Sequence, residues 1–207
     1  KKQLGTIYEY TAERGEIEKI ENYHIAIENY SEALRIYTPD EFPVEYGEIK
    51  KRIGVIYTKL AQLEEDGIGL WKKAAESFSD SLRVYTLRGS PEEYGFLCKN
   101  LGEVYFGLAE IEDKVENLRK AAQFYRESLN VYTLESFPLY YTSIYKKLGI
   151  IYESLVEEDE NAGIEELKRA AESYEESLKL PYENPVENAT VHIKLGDIYR
   201  TLAEVED

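Results

Sequence analysis

Apolar residues return along the chain at helical intervals, and the same intervals recur far downstream. Ile49, Ile53, Ile56, Tyr57 and Leu60 lie at spacings of 4, 3, 1 and 3, and Leu97, Leu101, Val104, Tyr105 and Leu108 repeat them. Apolar positions three and four apart share one side of a helix, so each run predicts an amphipathic helix with one buried face. Ala74, Ala75, Phe78, Leu82 and Tyr85 lay out a second face of this kind after the first. Start signals agree with it: Ser90-Pro91-Glu92-Glu93 and Asn184-Pro185-Val186-Glu187 each offer a capping side chain, Pro at the first helical position and Glu three residues after the cap. The pattern predicts first helices near 1–14, 43–64, 91–112, 138–158 and 185–206, and second helices near 19–37, 69–87, 115–134 and 162–180.

Three motifs keep one period. Leu or Ile, then Gly, then Tyr three residues on occurs at Leu4-Gly5-Tyr8, Ile53-Gly54-Tyr57, Leu101-Gly102-Tyr105, Leu148-Gly149-Tyr152 and Leu195-Gly196-Tyr199, with glycine steps of 49, 48, 47 and 47. Ala26-Tyr30-Ala33-Leu34 recurs as Ala74-Phe78-Ser81-Leu82, Ala121-Tyr125-Ser128-Leu129 and Ala170-Tyr174-Ser177-Leu178, and Pro43, Pro91, Pro138 and Pro185 keep step. A shared period of this length signals an all-α solenoid of stacked antiparallel helix hairpins. It forms a single array with units near 1–40, 41–88, 89–135 and 136–182 and a terminal half-unit at 183–207. A glycine inside a helix costs about 1 kcal/mol relative to Ala, so its recurrence needs a packing reason. The expected one is close approach of the second helix, answered by the small Ala26, Ala74, Ala121 and Ala170. Of 19 tyrosines, 14 fall into four repeating slots, which marks them as packing residues with a polar tip.

Leu-Gly with Tyr three residues on, followed by Ala, Tyr or Phe, and Ala or Ser at offsets 0, +4 and +7, resembles the tetratricopeptide repeat (TPR), here over the whole chain. The step of 47–49 residues departs from the usual 34, and Thr86 and Thr133 stand where the short form has its terminal Pro. It looks like the long-repeat variety of prokaryotic arrays. The resemblance implies a right-handed superhelix and a non-catalytic scaffold without cofactor, whose first helices line a concave groove that holds a peptide or helix of a partner protein. Carried over, the groove position three before each Gly is Lys2, Lys51, Lys99, Lys146 and Ile193, and the next residue is Gln3, Arg52, Asn100, Lys147 and Lys194. Four after each Gly stand Glu9, Thr58, Phe106, Glu153 and Arg200. The partner-binding candidates are thus Lys51, Arg52, Lys99, Asn100, Phe106, Lys146, Lys147, Lys194 and Arg200, a row that would favour acidic segments. The two-carboxylate clamp also wants Asn directly after Gly, and Thr6, Val55, Glu103, Ile150 and Asp197 argue against it. The competing reading is a solvated face in which these cations pair with acids such as Glu48.

Composition narrows the rest. Twenty-five Lys and Arg against 41 Asp and Glu leave a net charge of −16, which repels nucleic acid and anionic lipid unless cations gather on one face. No apolar run exceeds three residues, so no spanning helix or signal peptide is expected, and one cysteine makes no internal disulfide. A cytoplasmic location is the default. His24 falls in a surface slot and His192 in a variable one, Cys98 reads as a partly buried inert thiol, and the acidic run 157–160 lacks calcium-loop spacing, so neither catalytic nor metal chemistry is expected. The chain opens inside a first helix, has no Met, and stops after a fifth first helix. Two expectations follow: a segment of a longer array, or copies stacking head to tail through open ends. A structural or sensory arm of a larger signalling protein, packed on its own neighbouring domain, is the alternative to a peptide-binding scaffold.

Overall fold

The structure, a computed structural model, describes residues 2–14, 19–64, 67–159, 163–180 and 185–206. Among them every regular element is a helix: α1 (Lys2–Arg14), α2 (Lys19–Ala33), α3 (Pro43–Leu63), α4 (Ile68–Leu82), α5 (Pro91–Ala109), α6 (Lys114–Ser128), α7 (Pro138–Glu158), α8 (Ile164–Ser177) and α9 (Pro185–Glu206). Each helix packs on the next in sequence, and α3 also meets α5. The core is accordingly a string of apolar clusters threaded between hairpins. This is the all-α, solenoid-like arrangement that the period predicts. No helix among the described residues is long and apolar enough to cross a membrane.

The second helices stop short of their predicted ends. They close at Ala33, Leu82, Ser128 and Ser177, and α5 closes at Ala109. The first three of these second helices share one exit. The amides of Tyr37, Tyr85 and Tyr132 donate back to the carbonyls of Ala33, Ser81 and Ser128, completing a last turn. The chain then folds over Thr38, Thr86 and Thr133, whose hydroxyl oxygens accept from the amides of Glu41, Gly89 and Ser136 at 3.3, 3.2 and 3.2 Å. Their carbonyls take the amides of Phe42, Ser90 and Phe137 at 2.9 Å each. A threonine turn thus ends each of these three helices. It also corrects the cap expected at Ser90, whose side chain caps nothing. Asn184 lies outside the described residues.

The repeated glycine is a contact point for a ring, not for alanine. A Cβ built on Gly5, Gly54, Gly102 or Gly149 would stand 2.8, 2.7, 2.8 or 2.7 Å from the ring of Tyr30, Phe78, Tyr125 or Tyr174. Those rings are buried, at 0, 0, 2 and 0% exposure. Ala26, Ala74, Ala121 and Ala170 are fully buried too, one turn earlier on the same helix. Gly196 of α9 has nothing within 4 Å, and Tyr199 beside it is exposed, since no second helix covers α9 among the described residues. The other thirteen tyrosines in register are buried or half-buried.

Candidate partner-binding groove

The cations two residues before each Gly are consumed in holding one repeat to the next. In α1, Glu9 accepts from the Tyr30 hydroxyl of α2 at 2.7 Å and from Arg52 of α3 at 3.1 Å. In α5, Glu103 accepts from Tyr125 of α6 at 2.8 Å and faces Lys147 of α7 at 3.5 Å. In α7, Glu153 accepts from Tyr174 of α8 at 2.8 Å and from Lys194 of α9 at 2.5 Å. Each carboxylate therefore staples three successive helices. The hydroxyl carried by the ring over the glycine is satisfied in the same stroke, as a buried phenol must be.

The fourth junction has changed all three members. There α4 carries Phe78, α3 carries Thr58, and α5 carries Asn100 in place of a cation. Thr58 turns its hydroxyl onto the Gly54 carbonyl at 3.0 Å, and Asn100 donates to the Phe96 carbonyl at 2.7 Å. An apolar contact takes over: a Cβ on Gly107 of α5 would lie 2.6 Å from the Trp71 indole of α4.

The row three before each Gly behaves differently. Lys51 pairs with Glu48 at 2.7 Å and lies over the rings of Tyr85 and Phe96, while Lys146 pairs with Glu187 of α9. Lys2 has no ion pair among the described residues but lies over the Tyr37 ring at 5.9 Å, and Lys99 is the half-buried member with neither ion pair nor ring contact among them. The reason is sequence: Phe96 stands where Glu48 would, and Tyr140 stands where α9 has Glu187. Burial holds the Lys99 ammonium below the usual lysine range, opposed by Glu103 and reinforced by Lys147.

The remaining candidates are placed as follows. Phe106, a groove candidate by its place four after Gly, is partly buried against the core with the Lys147 ammonium 4.8 Å from its ring centre and does not stand free in the groove. Arg200 is exposed and pairs with Asp197 one turn earlier at 3.0 Å. His24 lies on the surface 3.5 Å from Glu64, and His192 is exposed. Cys98 is fully buried, not partly, and burial pushes its thiol up to about 11. No group of three His, Cys, Asp or Glu among the described residues could hold a metal ion.

Sequence reasoning missed a second row of phenol contacts. Tyr94 and Tyr141, eight before the repeated Gly, donate to Glu127 and Glu176 on the partner helix of their own hairpin, at 3.1 Å for the first. Glu127 and Glu176 thus join Glu9, Glu103 and Glu153 as acceptors for phenols. The signal was available, since Asp80, Glu127 and Glu176 all stand six after the repeated Ala.

These features define a helical-repeat protein whose hairpins are joined by repeated polar staples. No family model matches the chain, and no curated protein matches it. Among solved structures it is similar to the crystal structure of BtubC (BKLC) from P. vanneervenii, at 19% sequence identity and a TM-score of 0.52, over 99% of this chain and 82% of that one. That likeness concerns the fold.

Proposed function

We propose that the chain is a TPR-like scaffold of the long-repeat kind, working without catalysis, which holds a peptide or helix of a partner protein along its first helices. The observation that carries this reading is the register. The first helices repeat one face at a step of 47–49 residues, and at the centre of that face Lys99 has been left without the acid that neutralises Lys51 and Lys146. A half-buried cation without an ion pair favours an acidic group supplied from outside. The staple cations Arg52, Lys147 and Lys194 belong to the scaffold, and the acidic preference rests on the Lys51, Lys99 and Lys146 row, chiefly on Lys99. A cytoplasmic setting fits the buried free thiol.

Affinity capture with the intact protein, beside a Lys51→Ala/Lys99→Ala/Lys146→Ala variant and read by mass spectrometry, tests this. The expected result is a set of proteins retained by the parent at low salt and lost from the variant. Identical capture by both at low and high salt rejects the groove.

A second reading draws on α9. Gly196 is uncovered and Tyr199 exposed, so this face suits packing on a neighbouring domain or on another copy. Light scattering across a concentration series decides the self-association half of it, because a strictly monomeric protein excludes copy-to-copy stacking.

A further inference from the structure

On the side of the second helices, α6 and α8 do not meet closely, and α7 forms the floor between them. Two adjoining clefts of about 440 and 590 Å³ open there, both lined by Arg126, Asn130, Tyr152 and Arg169. The size is that of a small-ligand site. The opening has a local cause. One hairpin earlier, Phe124 of α6 stacks on Tyr105 of α5, with ring centres 5.5 Å apart and planes parallel. The equivalent residues here are Ser173 of α8 and Tyr152 of α7, so the space that Phe124 fills is left empty over Tyr152.

Two guanidinium groups look into that space. The Arg126 guanidinium has no ion pair or hydrogen bond among the described residues, and Ser31, Ser79 and Glu175 hold its slot in the other second helices. Arg169 leans on the Tyr152 ring at 6.0 Å and reaches Glu166 only at 3.7 Å. The Tyr152 hydroxyl makes no hydrogen bond among the described residues, though only 6% of the residue is exposed. Of the carboxylates lining the clefts, Glu127 is engaged by Tyr94 and Asn130, Glu176 by Tyr141 and Lys179, Glu175 by Tyr199 and Glu166 by the Gly163 amide, while Glu172 of α8 has no hydrogen bond or ion pair among the described residues. Arg119, at the far end of the cleft, is held by Asp159.

We propose that this cleft binds a compact oxyanion, a carboxylate or phosphate group, between Arg126 and Arg169, with the Tyr152 hydroxyl as a third donor. Planar guanidinium forks match such groups with paired hydrogen bonds, and an aromatic floor strengthens the attraction over that at an open surface. The carboxylates that surround it, Glu172 among them, disfavour extended polyanions. The site is separate from the groove of first helices and does not depend on it.

The test follows the side-chain Nε–H signals of arginine by NMR while inorganic phosphate, acetate, acetyl-phosphoserine amide and acetyl-aspartate amide are added separately. Arg126 and Arg169 signals should move together and saturate, while exposed Arg88 drifts linearly. Tighter binding of the amino-acid amides than of the free ions identifies a side chain of a partner as the source, and the reverse identifies a free ion. Arg126→Gln should weaken binding roughly tenfold or more. Ser173→Phe, which copies the filled hairpin and removes no charge, should abolish it with the helical signal intact. The proposal is overturned if Arg126 moves no more than Arg88, or if both variants bind as the parent does.

Discussion

The ring of Tyr125 lies against Gly102 so closely that a Cβ there would meet it at 2.8 Å. Leucine at this position must displace either the ring or the whole of α6. Overpacking of this kind costs about 1–3 kcal/mol, against a helix-propensity gain of at most about 1 kcal/mol. Gly102→Leu should therefore lower the melting temperature. Gly196→Leu occupies the same slot of α9 in open space and should leave it unchanged or raise it. Thermal unfolding followed by circular dichroism checks the contrast, and equal shifts from the two variants refute the role given to the ring.

The altered junction predicts a rescue. Phe78→Tyr alone introduces a buried hydroxyl with no acceptor, at a cost of about 1–3 kcal/mol. Adding Thr58→Glu and Asn100→Lys rebuilds the staple found in the other repeats and should recover most of that loss. Urea unfolding of the single and triple variants measures it. A triple variant no more stable than the single one shows that the three positions do not act as a set.

Stability and binding should separate along neighbouring residues of α5 and α7. Lys147→Ala removes a staple and should cost up to about 1 kcal/mol, as a partly exposed pair allows. Lys99→Ala removes a charge with no pair and should leave stability within about 0.5 kcal/mol. In binding the order reverses, with Lys99→Ala weakening an acidic partner and flattening its salt dependence. Melting curves and salt-titrated affinity on the same samples read both.

The pH dependence has a defined sign at the alkaline end. Burial raises Tyr30 and Tyr132 to about 12, and burial reinforced by the neighbouring Cys98 thiol and Glu127 carboxylate pushes Tyr94 higher still. An unfolded phenol ionises near 10, so the unfolded state loses protons first. The stability these phenols contribute is present below pH 10 and lost as pH rises towards 12, by up to about 1.4 kcal/mol per pH unit for each. Phenolate absorbance should therefore rise together with unfolding, not ahead of it. Cys98, raised to about 11, should resist iodoacetamide at pH 8 until denaturant is added.

The hairpins could be read from the chain because each carries its own copy of the same local signals: Pro at the helix start, Gly beside a buried Leu, and Ala and Tyr one turn apart. What the chain did not show were relations between repeats. Arg52 meets Glu9 across 43 residues and Lys194 meets Glu153 across 41, and the alignment that stacked the cations in one column gave no sign of where each would lean. Alignment also matched glycine with the wrong neighbour, because Ala26 and Tyr30 share one helix face and only geometry ranks their distances. The Arg126 cleft depends on a missing ring at Ser173, and an absence leaves little trace in a pattern of apolar positions.

The exchange of a polar staple for the Trp71–Gly107 contact gives the array two kinds of joint. Charge pairs loosen as salt screens them, whereas apolar contacts loosen on cooling. Along one chain, the place where the rod bends first is then set by the medium: beside Glu9, Glu103 or Glu153 in brine, and between α4 and α5 in the cold.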